Sequence, residues 1–524
     1  MRSGDEKKPL FFLALGVAMI IVDSTIVNVA MPTIIKNLNI SSIQAQWVQV
    51  IYTLVFASTL LIFGRLADQI GRKKIFAFGI SVFGVASVGA MMANSGDTLI
   101  FSRAIQGLGA AMMLPSSLSI INASFTGEDR RKAFAIWGSV IGGAAALGPF
   151  IGGWMITSFS WRWAFGINLP FAVLVAIGVL LYVNESVTRD FGKFDFLGSL
   201  LVATGFAAII FGLIEGRSYG WWNPLSGPKI LGLSIVPVVI FLGLLIIYIF
   251  VQRERARSRS QKPTYVDFSI FGIRSFRYAS IASLIVSLGE YGLLFLLPYW
   301  LQNVLGYSGL KTGSLFLVLA LGSFSASAAG RHLMAKRGSV ATLKTGIALE
   351  ILGVCALGLV ISPHTNVWLI IFTLFIYGMG IGLATTQVTS IALRDVPTHK
   401  SGQASALSST MRQLGFALGI AILGSSFFGL LGSGVSDRLQ DQGKLSMQAR
   451  QVLVHEVVTS AGTIIPELRS SSSTQSEAGA AIGALTSSSK WSALIATIFL
   501  CFGWFATRLM GRRIRSELPP RQIS

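Results

Sequence analysis

Apolar runs of about 20 residues recur along the whole chain, and they restrict its fold more than any other feature, because a helix of that length crosses a lipid bilayer. Of the 524 residues, 52% are hydrophobic and 12% are charged. A soluble domain averages ~25% charged residues, so about half of the expected charge is missing. The sequence therefore predicts an all-α integral membrane protein.

Hydropathy windows of about 19 residues predict about fourteen membrane-spanning helices. Their approximate positions are 10–32, 47–64, 75–93, 98–122, 134–157, 164–183, 196–215, 230–251, 278–301, 312–330, 341–361, 367–390, 404–430 and 490–510. The simplest arrangement is 6+2+6. It has a six-helix domain over 1–190, two extra linker helices over 191–262 and a second six-helix domain over 263–524. The second domain includes a long extracytoplasmic loop over 432–489, where we expect a short amphipathic helix over 448–458 within a solvated connector rather than a gating hairpin.

The basic residues indicate the orientation. Segments predicted to lie inside the cell carry roughly 29 Lys and Arg residues, and those predicted outside carry roughly 10. The net charge of +20 therefore fits cytoplasmic loops and anionic lipid head groups better than nucleic acid. We expect a multi-pass protein of the cell (inner, cytoplasmic) membrane with both termini in the cytoplasm.

Tryptophans at the predicted outer ends of helices are expected to form an interfacial belt. They are Trp47, Trp161, Trp163, Trp221, Trp222, Trp300, Trp368 and Trp491.

One carboxylate lies near the middle of the first apolar run, Leu10–Pro32. Asp23 would sit close to the membrane midplane, where a charge costs at least ~2.5–3.5 kcal/mol and usually faces the protein interior or a water path. Thr25 and Asn28 follow within about a turn and a half of helix, so we expect polar groups beside the carboxylate. Two interpretations stay open, a structural helix–helix hydrogen bond and a protonation site in a transport path.

An arginine in the fourth run is the obvious partner of Asp23. Arg103 begins the string RAIQGLGAA, and Gln106 and Gly107 follow at the i+3 and i+4 positions of the same helical face. An intramembrane arginine needs a partner. The alternative is an arginine that extends its charge to the interface.

The second half carries further charges at membrane depth. Ser283, Ser287 and Glu290 have the i, i+4, i+7 spacing of one helical face, so they are expected either to line a cavity or to form a structural hydrogen-bond network. Glu350 is also central in its run but has no polar stripe. Arg412 is either a partner for a buried carboxylate or a packing device. With Asn28, these residues are our predicted substrate pathway.

A basic string follows the second run and has a weak copy in the second half. The string GRLADQIGRKK begins at Gly64, and its glycines allow a tight reversal between helices. Asp68 can pair with nearby arginines. The string GRHLMAKRG begins at Gly330 and has Met334 in place of Asp68. Paired halves of this kind are typical of secondary transporters with a site between them.

Small residues dominate the fifth run. The string GAAALGPFIGG, from Gly143 to Gly153, contains Gly148, Pro149 and Gly152. Small residues let helices approach closely, and a proline beside paired glycines makes a bendable segment.

These strings together resemble the major facilitator superfamily, in its fourteen-helix drug:proton antiporter branch of multidrug efflux transporters. The strings from Gly64 and Arg103 look like the superfamily patterns GxLaDrxGRkk and RxxqGxgaa, and the fifth-run string ends in the antiporter pattern GPxxGG. The strings WRWAFGINLP, from Trp161, and DSTIVNVAMP, from Asp23, resemble motifs of the fourteen-helix branch. Ala144 stands where the antiporter pattern often has glycine.

The resemblance implies roles for these residues. It implies a conformational latch that steadies the outward-facing state, formed by Gly64, Arg65, Asp68, Gly71 and Arg72. It also ties Arg103 to proton transfer, and the antiporter string at Gly148, Pro149, Gly152 and Gly153 indicates export.

The predicted function is therefore proton-coupled export of lipophilic, mostly cationic drugs by alternating access, with proton coupling at Asp23, Arg103 and Glu290. A proton and a substrate that compete for one such carboxylate would couple the two fluxes. The predicted protein is a monomer in the lipid bilayer and not an enzyme, and it uses the proton gradient without cofactor, metal or ATP site. The alternatives are an exporter of a specific metabolite, lipid or peptide, and a non-transporting membrane receptor or scaffold.

Overall fold

The computed structural model describes residues 7–186, 195–230, 232–260, 262, 264–397, 400–443 and 445–514. Within these residues fourteen helices are long and apolar enough to cross a membrane. The one described sheet is a small antiparallel pair of strands, β1 (Lys229–Ile230) and β2 (Leu233–Ser234). The predicted all-α membrane fold with fourteen spans is confirmed.

The first six spans are formed by seven helices, because the sixth span consists of a short helix followed by a longer one. They are α1 (Lys7–Leu38), α2 (Ser42–Ile70), α3 (Arg72–Met91), α4 (Gly96–Ser124), α5 (Gly127–Ser158), α6 (Trp163–Gly166) and α7 (Asn168–Tyr182). The next two spans are α8 (Phe196–Tyr219) and α9 (Ile235–Arg259).

The remaining six spans are accompanied by short helices between the last two. They are α10 (Arg274–Asn303), α11 (Gly309–Arg337), α12 (Ser339–Val360), α13 (Val367–Leu393), α14 (Ser401–Gln442) and α17 (Gln475–Ile514). The short helices between them are α15 (Met447–Thr459) and α16 (Ile465–Ser470), and 3-10 helices span Phe268–Gly272 and Ser472–Thr474.

The spans pack into two groups. In the first group α1 contacts α5 and α7, and α4 contacts α2 and α3. In the second, α10 packs on α14 and α17, and α13 packs on α11 and α12. Helices α8 and α9 pair with each other, and α8 also touches α2 and α14. The exact domain limits stay a prediction, and the limit at residue 190 lies outside the described residues.

Both halves use a glycine to end the second helix of the group. Gly71 lies between α2 and α3 with φ +132°, and Gly338 lies between α11 and α12 with φ +81°. A positive φ favours glycine because it has no Cβ. The weak repeat of the two basic strings thus corresponds to the same kind of reversal in each half.

The two groups touch through small residues near the predicted outer end. Gly153 of α5 lies against the backbone of Gly309 in α11, and a Cβ added at Gly153 would lie 3.1 Å from the Cα of Leu310. The Leu310 N–H also donates a hydrogen bond of 2.9 Å to Thr157 Oγ1. The close approach expected of small residues occurs here.

The same two helices separate toward the predicted cytoplasmic end. A Cβ added at Gly143 would find its nearest neighbour, the Phe324 ring, 4.0 Å away, and one added at Gly138 would find nothing within 4 Å. The Phe324 side chain is 46% exposed. With the predicted orientation, a wedge that is closed outside and open inside corresponds to an inward-facing conformation.

The segment predicted as a long outer loop, 432–489, is mostly helical, which corrects that prediction. Helices α14 and α17 extend into it from both sides. Helix α15 confirms the short helix predicted over 448–458.

This segment also packs on the predicted outer end of the spans. Glu467 forms an ion pair of 2.9 Å with Lys36 of α1, and Asn303 of α10 donates a hydrogen bond of 3.1 Å to the Ala461 carbonyl. Val457 is fully buried. The segment is therefore a packed cover rather than a solvated connector, because its apolar residues bury surface against the spans.

Two of the eight tryptophans do not belong to the expected interfacial belt. Trp161 and Trp300 are fully buried in the protein. The Trp161 ring meets the Phe165 ring edge-on, with centroids 6.3 Å apart. Helix–helix packing inside the protein therefore determines their position. The exposed members are Trp163, Trp221, Trp222, Trp368 and Trp491.

The wedge predicts opposite effects for two glycine substitutions in α5. Gly153→Ala should lower the melting temperature and weaken transport, because the new methyl group meets the α11 backbone. Gly138→Ala should leave both unchanged or raise stability by up to about 1 kcal/mol, because alanine favours the helix and the site is open. Thermal unfolding of the purified variants in detergent measures the difference. Equal effects at both positions would contradict the wedge.

Candidate functional site

A buried ion pair lies in the middle of the first helix group. Asp23 of α1 and Arg103 of α4 are both 0% exposed. Arg103 Nη1 forms an ion pair with Asp23 Oδ2. The other carboxylate oxygen accepts hydrogen bonds from Gln106 Nε2 at 3.1 Å and Asn168 Nδ2 at 2.7 Å. Three donors from α4 and α7 thus hold the carboxylate of α1.

The guanidinium of Arg103 is enclosed as well. Its Nε donates to the Val48 carbonyl at 3.3 Å, and its Nη1 also donates to Gln106 Oε1 at 2.8 Å. Its central carbon lies 4.2 Å from the Tyr52 ring centroid and 5.9 Å from that of Phe165. The pair is therefore shielded from water in this conformation, and Arg103 Nη2 is a donor without a hydrogen-bond partner.

The sequence predicted the two charges but not the whole cluster. Gln106 was placed on the same face as Arg103, whereas Asn168 appeared only as part of the string WRWAFGINLP. The sequence feature that could have indicated Asn168 is a side-chain amide at the start of a strongly apolar span. Ser87 of α3 completes the cluster by accepting from Gln106 at 2.8 Å and from Asn168 at 3.3 Å.

The polar residues expected beside Asp23 have other partners. Thr25 Oγ1 donates to carbonyls of its own helix, at Ile21 and Val22. Asn28 Oδ1 accepts a hydrogen bond of 2.7 Å from Gln49 Nε2 of α2. Neither side chain is therefore bonded to Asp23, whose carboxylate instead accepts from side chains of α4 and α7.

The predicted polar stripe of α10 lines a small cavity in the second helix group. Ser283, Ser287 and Glu290 border this space of about 20 Å³, together with Thr385 of α13 and Arg412 of α14. Glu290 and Arg412 face the same cavity but form no direct ion pair among the described residues. Arg412 interacts electrostatically with the Glu290 carboxylate, but it does not bind that carboxylate directly as Arg103 binds Asp23.

The third carboxylate predicted at depth lies apart from that cavity. Glu350 of α12 is fully buried, and neither of its carboxyl oxygens has a hydrogen-bond partner. It packs against Gly380 of α13. The hydroxyl of Tyr377, one turn before Gly380, donates a hydrogen bond of 3.3 Å to the backbone carbonyl of Glu290. Helix α13 therefore lies between the two glutamates.

The basic string after α2 forms a local cluster. Asp68 and Arg72 form an ion pair of 2.8 Å, one turn apart across Gly71. The Glu185 carboxylate accepts hydrogen bonds from the first N–H groups of α3, including that of Lys73 at 3.0 Å. A carboxylate at a helix N-terminus is stabilising. The end of α7 is thereby tied to the reversal between α2 and α3.

Two further residues of this string contact α4 and the end of α9. Gly64 lies on Pro115 of α4, where an added Cβ would have its nearest contact at 3.4 Å. Arg65 interacts electrostatically with Glu254 of α9.

A charged network joins α8 and α9 at their predicted cytoplasmic ends. Arg253 donates two hydrogen bonds of 2.7 Å to Asp195, which also accepts from the Gly198 N–H at 3.1 Å. Glu254 accepts from Arg253 at 2.9 Å and from the Val266 N–H at 3.0 Å. Burial would raise the pKa of Asp195, but Arg253 and the Gly198 N–H hold that pKa at about 2. Asp195 is therefore ionised throughout the physiological range.

The low pKa of Asp195 predicts a pH-independent contribution to stability. A depressed carboxylate pKa stabilises the fold above the ordinary value near 3.8 and loses that effect only as pH falls toward about 2. Arg253→Gln should lower the melting temperature by the same amount at pH 5 and pH 8. Arg255→Gln, an exposed neighbour on α9, should have little effect. A penalty for Arg253→Gln that changes strongly between those two pH values would refute the assignment.

Comparison with known proteins identifies the family. A model of the Major Facilitator Superfamily matches residues 13–420. The chain belongs to the major facilitator superfamily. It is 34% identical to the puromycin resistance protein pur8 of Streptomyces alboniger over 426 residues, which cover 80% of this chain and 81% of that protein. It is 31% identical to the multidrug resistance protein Stp of Mycobacterium tuberculosis, over 87% of this chain and 83% of Stp.

Solved structures of the superfamily share the fold. A bacterial homologue of the human lysosomal transporter Spinster, in an inward-facing and unoccupied conformation, has a TM-score of 0.66 and 16% identity, and the match covers 99% of this chain and 100% of that chain. The chain is thus a multi-pass transporter of the major facilitator superfamily, with relatives named for multidrug and drug resistance.

The buried ion pair predicts non-additive mutant effects on stability. Asp23→Asn or Arg103→Gln alone should each lower the free energy of unfolding by about 3–5 kcal/mol, because each leaves one charge buried without its partner. The double variant should lose less than the sum of the two, because it removes both charges. Thermal unfolding in detergent measures all three, and Asp97→Asn, an exposed carboxylate on α4, is the control. Additive losses would show that the two charges do not depend on each other.

Proposed function

We propose that this transporter exports lipophilic, mostly cationic compounds in exchange for protons. The observation that carries the proposal is the sealed pair of Asp23 and Arg103 inside the first helix group. Charges at this depth are costly and mark proton or ion pathways in transporters. The resistance functions named for pur8 and Stp support the substrate class.

The proposed cycle begins in the inward-facing conformation. The wedge between α5 and α11 gives a compound from the cytoplasm or inner leaflet access to the second helix group. There Glu290, which interacts with Arg412 across the cavity but forms no direct ion pair with it, attracts a cation, and Ser283 and Ser287 supply hydrogen-bonding groups beside it. Binding closes the wedge, and the outer contacts at Gly153 open.

Proton binding acts on the other helix group. Because Asp23 is enclosed by three side-chain donors, a substrate cannot reach it in this conformation, so direct competition for that carboxylate is not our mechanism. A proton that reaches Asp23 from outside would instead remove its charge and weaken its ion pair with Arg103. The contacts of α1 with α4 and α7 would then change, which favours the return to the inward-facing state.

The basic string after α2 is proposed as a latch between states. In the inward-facing conformation Asp68 pairs with Arg72 in its own helix group. When the cytoplasmic ends approach each other, Asp68 would become available to the facing helices of the second group. This exchange of partners would steady the outward-facing state at the expense of a local ion pair.

The remaining features of the proposal follow from orientation and energy source. We place the protein in the cytoplasmic membrane as a monomer with both termini inside. The proton gradient supplies the driving force, without ATP or a cofactor. The antiporter string at Gly148–Gly153 supports export rather than uptake.

A second candidate is export of one specific metabolite by the same machinery. It is favoured by the name of pur8, a relative that is named for resistance to one compound, puromycin. A narrow substrate range would support this candidate, whereas transport of several unrelated dyes would support the multidrug pump.

The test is proton flux in liposomes that contain the purified protein and an internal pH dye. Under an imposed pH gradient, adding ethidium should trigger proton release in the wild type. Asp23→Asn should abolish that release, and Glu290→Gln should raise the KM for ethidium about tenfold, because one charge interaction with the cation is lost. Asp97→Asn should behave like the wild type.

Folding controls keep the test decisive. Each variant must first show a single cooperative unfolding transition, and Asp23→Glu, which keeps the charge, should retain part of the coupling. Undiminished ethidium-triggered proton flux in Asp23→Asn would refute coupling at Asp23. Saturable flux of only one compound would replace the multidrug proposal with the specific exporter, and no flux of any compound would favour the receptor or scaffold.

A further inference from the structure

A large cavity lies at the predicted outer end, away from Asp23 and Glu290. It is enclosed by the last turn of α8, the outer part of α14 and the covering helix α15, and its volume is about 770 Å³. This volume lies within the range of ligand-binding pockets, about 300–1,000 Å³. The proposed transport cycle assigns no role to it.

The charges that line this cavity are all basic. Arg217 of α8 and Arg450 and His455 of α15 contribute to its wall, and its lining residues include no aspartate or glutamate. Among the described residues, neither Arg217 nor Arg450 forms a direct ion pair, although Arg217 interacts electrostatically with Glu215 on the same helix. An unpaired arginine in a concave site is an attractive partner for an anion, because its planar group donates two parallel hydrogen bonds to a carboxylate or phosphate.

The arginine of α8 is fixed by two contacts, but one of its N–H groups has no hydrogen-bond partner. Arg217 Nη2 donates a hydrogen bond of 2.8 Å to Ser42 Oγ, and its guanidinium lies 5.1 Å from the Phe428 ring centroid. Its Nη1 has no hydrogen-bond partner. A buried donor without a partner destabilises the fold, and an anionic ligand in the cavity would supply the missing acceptor.

The opposite wall of the cavity is apolar. The ring of Phe428 and the side chains of Val454 and Val458 contribute to it. A small inorganic anion would leave this wall in contact with water, whereas a molecule with an apolar chain would cover it.

We propose that this cavity binds an amphiphilic anion, with a phosphate or carboxylate head group at Arg217 and Arg450 and an apolar chain along Phe428, Val454 and Val458. Two sources supply this chemistry, a membrane phospholipid and a free fatty-acid-like amphiphile. A ligand there would join α8, α14 and the covering helix α15. The proposal is independent of the proton-coupled export described above.

The test uses the purified full chain in dodecyl maltoside, a detergent without charge. Titration with dodecyl phosphate should raise the melting temperature with a saturable dose dependence. Dodecanol, which has the same chain and no charge, should not raise it. Equal stabilisation by the two amphiphiles would overturn the proposal, because the basic wall would then play no part.

The decisive variant is Arg450→Gln, because the Arg450 side chain has no hydrogen bond or ion pair with another described residue. It should weaken dodecyl phosphate binding by about tenfold or more, as expected for one charge-assisted hydrogen bond. Arg217→Gln should do the same but also removes the bond to Ser42. Arg469→Gln, an exposed arginine of α16, should bind like the wild type.

Competition separates the two sources. If phosphatidylglycerol in mixed micelles weakens the binding of dodecyl phosphate, the site takes a phospholipid. If it has no effect, the site takes the free amphiphile. The absence of saturable dodecyl phosphate binding, or wild-type affinity in Arg450→Gln, would overturn the proposal.

Discussion

The first helix group depends on one buried ion pair. Moving two charges out of water costs several kcal/mol per ion, and only good geometry with further hydrogen bonds repays it. Asp23 and Arg103 meet this requirement through Gln106, Asn168 and the Val48 carbonyl. Because these groups come from four helices, any change in the charge of one partner alters the packing of α1, α2, α4 and α7 together.

The buried carboxylates of the second helix group are not held in a direct ion pair as Asp23 is. Glu290 borders a cavity with Arg412 but forms no direct ion pair with it, and both oxygens of Glu350 lack hydrogen-bond partners. A carboxylate that lacks a permanent partner is free to accept one from a ligand. In the proposed cycle, the first group would respond to a proton through its packing, and the second would receive a cation.

The sequence predicted those features that the lipid environment dictates locally. Spans follow from the length of apolar runs, and Asp23 could be matched with Arg103 because isolated charges at membrane depth must find a partner. Asn168 could not be found in this way, because a side-chain amide can form hydrogen bonds with many different groups. Only the packing of α7 on α1 makes Asp23 its partner. The same limit explains Trp161 and the segment 432–489, whose positions depend on tertiary contacts rather than on local composition.

The contact between the two groups is built to open. At the predicted outer end α5 and α11 meet backbone to backbone at Gly153 and Gly309, with one hydrogen bond from Leu310 to Thr157 beside them. At this point the two helices approach through backbone atoms and small side chains. Since two conformations can exchange only when their free energies are close, a seam of glycines suits a protein that must alternate between them. The covering segment adds the Lys36–Glu467 ion pair across the same end, an exposed contact of at most about 1 kcal/mol. The outer end is therefore held by these local contacts together with the packing of α2 on α14.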